Sequence, residues 1–238
     1  MIENPHLAGS LYRACYVLGF VAIFVFNTIY AKKYTIKPLK ALVFTVVSYV
    51  LIFMWSYILA WVMNGFQWGH HNAIRVYIWM PLVLLLTSKL FHVDFKKSLE
   101  FIVPSTCIVY GIARIGCIFP GCCYGHFAKW GMYSAQAMYH CFPVQLCEAI
   151  TALLIAVLII HLAKRKAYSF EVCDLYPLML ILYGGTRFLW EFAANNEKVI
   201  GNISELALWA LATFIIGCVW LTVVLIKKRK RVTGKAKQ

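Results

Sequence analysis

Arg114 closes an apolar run that begins near Leu99. A guanidinium at that depth is costly in hydrocarbon unless it pairs with another charge or faces a wet cavity. The stretch around it, GIARIGCIFPGCCYG at 111–125, carries Gly116, Pro120, Gly121 and Gly125. Such backbone does not stay helical and must turn inside protein, not inside lipid. Two further stretches bring polar groups to the same level. In FPVQLCE, Gln145 and Glu148 are three apart and share a helical face; in YGGTRFLWEF, Tyr183, Arg187 and Glu191 are spaced by four. Two arginines among two glutamates admit two readings. They neutralise one another as buried ion pairs, or their planar forks grip a lipid phosphate bidentately. His70 and His71, in FQWGHHNAIR, titrate near neutrality and are the candidate proton acceptors. Adjacent histidines point apart on a helix, so they make a poor metal pair.

The elements that position these groups must be membrane helices. Apolar residues make up 62% of the 238 and charged residues only 13%, which excludes an ordinary soluble domain. Apolar runs long enough to cross a bilayer fall at 11–30, 41–64, 73–91, 98–118, 144–163, 170–192 and 203–226. The expectation is one all-α, polytopic membrane domain over 1–238 with seven transmembrane helices and a basic tail at 227–238. Pro104 predicts a kink in the fourth helix. The Gly184–Gly185 pair predicts a loosened sixth, and Gly19 predicts close packing of the first.

A net charge of +14 would suit nucleic acid, but its placement argues for lipid. Seventeen of the 23 lysines and arginines follow the first, third, fifth and seventh runs, whereas Arg13, Arg75, Arg114, Lys129, Arg187 and Lys198 fall on the other side. That alternation puts the N-terminus outside and the C-terminus in the cytoplasm. The basic tail then meets anionic headgroups of membrane lipids, and no nucleic-acid partner is expected. MIENPHLAGS has no positively charged start, so the first helix is expected to remain as an anchor.

Cysteines concentrate in the longest excursion between helices: Cys117, Cys122, Cys123 and Cys141, with Cys147 just beyond. An oxidising exterior makes a disulfide the first reading. Paired C-x-x-C modules are missing, so no metal ligands are assigned and no cofactor is expected.

At these residues the chain resembles the prolipoprotein diacylglyceryl transferase family. YVLGF at 16–20 is similar to that family's first-helix pattern, and ARIGCIFPGCCYG at 113–125 to its signature. FPVQLCE at 142–148 resembles its H-P-x-Q-L-Y-E element, and YGGTRFLWEF at 183–192 its Y-G-x-x-R-F-x-x-E-F element. The resemblance implies a multi-pass protein of the bacterial plasma membrane with its site toward the outer leaflet. It implies transfer of diacylglyceryl from phosphatidylglycerol to the lipobox cysteine of a secreted lipoprotein precursor. Arg114 and Arg187 would be catalytic, together with His71 or His70 as base. Tyr183, Gln145, Glu148, Glu191, Gly116, Gly121 and Gly125 would bind substrate. The chain departs from the family at several points. It has no His-Gly-Gly motif, Cys117 and Cys122 occupy signature positions of Asn and Glu, Phe142 replaces a histidine and Ala194 an arginine. Two alternatives accompany the reading: a related transferase with a glycan or small-molecule acceptor, and a non-catalytic lipid-binding or transport protein.

Overall fold

The computed structural model describes residues 5–32, 36–63, 73–164, 175–201 and 203–235. Prolines open α1 (Pro5–Ala31) and α2 (Pro38–Met63), where the first-turn N–H groups have no intrahelical acceptor to lose. After α3 (Ala73–Leu90), Asp94 caps α4 (Phe95–Gly116) by accepting from the Lys97 N–H at 3.0 Å. The chain then forms α5 (Val144–Lys164), α6 (Leu175–Glu191) and α7 (Glu205–Lys235). Ser204 caps α7, its Oγ accepting from Ala207 N at 3.1 Å. Two short antiparallel ribbons complete the described residues: β1 (Phe127–Ser134) with β2 (Tyr139–Cys141), and β3 (Lys198–Ile200) with β4 (Ile203–Ser204).

The body is therefore helical as expected, while the excursions before α5 and α7 are ribbons that the all-α expectation did not contain. Among the described residues, α1, α2, α4, α5 and α7 are long and apolar enough to cross a membrane. The apolar part of α3 is shorter, at Val76–Leu90, and α6 has 17 residues. Large apolar side chains point outward along the bundle, among them Val17, Leu18 and Ile29 on α1, Leu154 and Val157 on α5 and Val219 on α7. So much exposed hydrocarbon-like surface fits acyl chains and not water. The fold is that of a multi-pass membrane protein.

The fourth helix is the centre. Its apolar window is 69% buried, against 17% to 33% for the other four candidate spans, and it packs between α1 and α5. Glycine lets α1 come close: a Cβ on Gly19 would lie 2.9 Å from Val109 Cγ2. Hydroxyls join α2, α3 and α4 where apolar contact alone gives little preference in lipid. Ser48 Oγ donates to Thr87 Oγ1 at 3.1 Å, Tyr49 OH bonds Ser105 and Thr106 at 3.0 and 2.8 Å, and Ser88 meets Ser98 at 2.9 Å. Pro104 lies inside a helix that continues unbroken to Gly116. The Gly184–Gly185 pair likewise does not interrupt α6. It allows α7 to approach, since a Cβ on Gly184 would sit 2.6 Å from Phe214 N.

Candidate functional site

The polar groups expected on three helices meet at the end of the bundle that carries the β1–β2 hairpin. Glu148, on the first turns of α5, is 3% exposed and accepts from both arginines. Arg114 Nε lies 2.6 Å from Glu148 Oε2, and Arg187 Nη1 contacts Glu148 Oε1. Arg187 Nη2 also reaches Glu191 Oε1 one helical turn along α6. The carboxylate of Glu191 is held further by Asn196 Nδ2 and Ser204 Oγ, each donating to Oε2 at 2.7 Å. Two guanidiniums and two carboxylates therefore neutralise one another in a nearly water-free place, which is the condition for keeping any of them there.

Within that network the two arginines are not equivalent. Arg187 is 5% exposed and enclosed by Glu148 and Glu191. Arg114 is 15% exposed, and its contacts to Glu148 and to Tyr110 OH (2.8 Å) both run through Nε. Its terminal nitrogens take no part in these two contacts, and its charge acts on the nearby Cys123 thiol. Tyr110 was not legible as a site residue, although it stands four before Arg114 on the same face. It donates to Glu148 Oε2 at 3.2 Å and lies under the Arg114 guanidinium, 5.0 Å from carbon to ring centre. Tyr183 is buried in an aromatic floor, 5.1 Å from the Tyr110 ring and 4.2 Å from that of Tyr77.

The remaining expected residues shape the loop after α4. Gln145 Nε2 donates to the Cys122 carbonyl at 2.5 Å, tying that loop to α5. Gly116 faces α1, where a Cβ would be 2.9 Å from Cys15 Cβ. Gly121 adopts φ 71°, which side-chain-bearing residues rarely do. Gly125 is crossed by backbone: its N–H donates to Phe142 O at 3.1 Å, and a Cβ there would meet Ala193 O at 2.6 Å. Gly125 also bridges Ala194, which stands buried where the family pattern has an arginine. His70 and His71 lie outside the described residues.

The cysteine expectation takes a different form. The eight cysteines of the described residues that carry a free thiol include Cys117, Cys122, Cys123, Cys141 and Cys147, so the structure holds no disulfide among these five. Sγ atoms of Cys117, Cys122 and Cys123 lie within 4.8 Å of one another. Hydrogen bonds from the other two thiols, then the charge and hydrogen bond of Arg114, hold the Cys123 thiol well below its ordinary range. The Cys122 thiol, near Cys123 and half-buried, is pushed up to about 11. A separate cavity of about 420 Å³ opens beside the end of α6 between Thr186, Leu189, Trp190, Phe192 and Ala193. Its lining does not include the ion network.

The chain is thus a helical, multi-pass membrane protein that carries at one end two arginines neutralised by two glutamates, with Arg114 the more exposed of the two, near a cluster of three thiols. The family model described as prolipoprotein diacylglyceryl transferase matches residues 2–223, and the chain belongs to that family. It is also 33% identical over 134 residues to a phosphatidylglycerol–prolipoprotein diacylglyceryl transferase of Clostridium tetani (strain Massachusetts / E88). That alignment covers 52% of this chain and 52% of the relative, so the chain spans about half the length of the curated relative it matches.

Proposed function

We propose that the protein is a transferase that moves the diacylglyceryl group of phosphatidylglycerol to the lipobox cysteine of a secreted lipoprotein precursor. The observation that carries this reading is Arg114, fixed through Nε and presenting the rest of its fork. In the reaction the acceptor thiolate attacks the glyceryl C3 carbon, the C–O bond to phosphate breaks, and glycerol 1-phosphate leaves. Negative charge grows on the leaving phosphate, so a fork held in place in a dry site stabilises the transition state more than the ground state. Glu148 and Tyr110 aim that fork. Arg187 is a positioning residue: it holds Glu148 against the charge of Arg114 and is itself anchored by Glu191. The acceptor thiol must lose its proton first, because a thiol of pKa about 8.5 is mostly protonated at neutral pH. His71 or His70 is the sequence's candidate for that step.

The topology that goes with this function has seven spans in a bacterial plasma membrane, the N-terminus outside and the Arg114 site at the outer leaflet. The alternation of basic loops supports it. Purified protein given labelled phosphatidylglycerol and a lipobox peptide tests the whole reading. Label on the cysteine peptide, and none on its serine counterpart, is the expected result. Donor cleavage only with a glycan or small-molecule acceptor, or binding without turnover, would replace it with one of the two alternatives.

A further inference from the structure

The transfer reaction leaves three thiols without a role, and they sit beside Arg114. A tetrahedral zinc ion, at about 2.3 Å from each sulfur, separates its thiolates by about 3.8 Å. The Sγ atoms of Cys117, Cys122 and Cys123 lie within 4.8 Å of one another, so side-chain rotation of at most about 1 Å closes the set. A disulfide would instead draw two sulfurs to about 2.05 Å and strand the third.

The backbone is built to bring them together. Cys117 ends α4 with its N–H on Ala113 O at 3.1 Å. Gly121 turns at φ 71°, and a Cβ there would lie 2.8 Å from Ala135 N. Cys123 itself sits at φ 56°, a conformation unusual for a side-chain-bearing residue. The turn is pinned from both flanks. Ser134 Oγ donates to Gly121 O at 2.7 Å and Gln145 Nε2 to Cys122 O at 2.5 Å. Cys117 is buried, Cys122 half-buried and Cys123 exposed, so the set is closed on the protein side and open outward. Three thiolates around a divalent ion carry one negative charge, and the Arg114 guanidinium acts on the set as a nearby positive charge.

We propose that Cys117, Cys122 and Cys123 form a three-thiolate zinc site whose open fourth position takes the thiol of the acceptor. The metal site rests on the cysteine geometry alone; the occupant of its fourth position rests on the reaction proposed above. When a thiol coordinates, its proton passes to water and it is held as thiolate, beside the arginine that faces the lipid phosphate. The C–S bond then forms as the C–O bond breaks, and the product thioether, a neutral and weaker ligand, can leave. A direct attack by one of the three cysteines is excluded as a turnover route, because it would end in a stable thioether on the protein.

The test starts from wild-type protein purified in detergent under reducing conditions and loaded with zinc alone. Elemental analysis should find about one equivalent per chain, falling below about a tenth in Cys117→Ser and Cys123→Ser. Cys218→Ser, on α7, should keep its zinc. Cys123→Ser, at the exposed position, guards against loss through misfolding, and each variant is used only if it melts as wild type does. In cobalt-loaded protein, a lipobox cysteine peptide should change the sulfur-to-metal charge-transfer spectrum and the serine peptide should not. Zinc absent from wild type, zinc retained by the serine variants, or a spectrum indifferent to the cysteine peptide would each overturn the proposal. Lipid transfer is scored separately. Transfer by metal-free protein leaves the proposed function standing and overturns the acceptor thiol's coordination to zinc during the reaction. Metal and peptide responses without transfer keep the thiol site and remove the lipid reaction.

Discussion

Glu148→Gln tests whether the ion network is one unit. Glu148 is 3% exposed and takes contacts from Arg114, Arg187 and Tyr110. Two arginines against Glu148 and Glu191 sum to no net charge; the substitution leaves an excess of one positive charge in the same buried volume. Breaking a buried pair by removing one partner costs about 3–5 kcal/mol, since the survivor keeps its desolvation penalty. For a chain of this size each kcal/mol corresponds to about 2–4 °C, giving a fall in Tm of about 6–20 °C. The assay is unfolding in detergent followed by tryptophan fluorescence, at a fixed scan rate because unfolding of such proteins is often irreversible. Adding Arg187→Met to Glu148→Gln removes the excess charge and should recover at least half of the loss, a non-additivity expected only of coupled groups. Phosphatidylglycerol turnover should stay low in both, because Arg114 loses the carboxylate that aims it. A Glu148→Gln protein melting within about 2 °C of wild type, or strictly additive losses in the double variant, would refute the argument.

Arg114→Lys should lower donor turnover by about 100-fold or more with little change in fold, since an ammonium cannot replace the fork; near-wild-type turnover, with His71→Ala inactive, would move the chemistry to the histidines. Gly184→Ala should destabilise strongly, its Cβ meeting Phe214 N at 2.6 Å, whereas Gly185→Ala meets only Phe214 side-chain carbons at 3.4 Å and beyond; equal melting temperatures would show that α7 does not need the close approach. A cysteine placed at Lys235 should react with an impermeant maleimide only from the cytoplasmic face, and labelling of intact cells there would invert the topology. Because its folded pKa is lowered, Cys123 stays thiolate as pH falls below that of an ordinary thiol. In chelator-stripped protein, iodoacetamide should therefore modify Cys123 first at pH near 6, and uniform labelling of all exposed cysteines would contradict this.

Much of the site was legible because intramembrane charge is rare and helical spacing is regular. Arg187 and Glu191, four apart, do pair, and Arg114 and Glu148 do meet across α4 and α5. Tyr110 obeys the same spacing from Arg114 but is apolar enough to vanish into the span. The β1–β2 ribbon was hidden because its pairing shifts register between Phe127 and Met132, which erases the alternation that marks a strand. The thiol cluster escaped because its spacing is not that of a zinc ribbon; two turns of backbone at positive φ, Gly121 and Cys123, bring the sulfurs together. The seventh apolar run ends near 226, yet α7 continues to Lys235, since lysine and arginine extend a helix well once it has started.

The order of charges along the chain has a consequence for how the protein is made. Of the five helices able to span alone, α4 has the lowest mean hydropathy, 1.3 against 1.9 to 2.4, and it carries Arg114. The next helix to leave the ribosome brings Glu148 to that arginine. Arg187 arrives later with Glu191 on its own helix, already matched. The four charges of this network are thus made in two balanced sets, Arg114 with Glu148 and Arg187 with Glu191, and the site is assembled by docking the two. A variant that reorders this sequence, for instance by exchanging Glu148 and Arg187, would keep the finished charge balance but expose a lone arginine pair during insertion. Its defect should be seen in membrane yield before it is seen in activity.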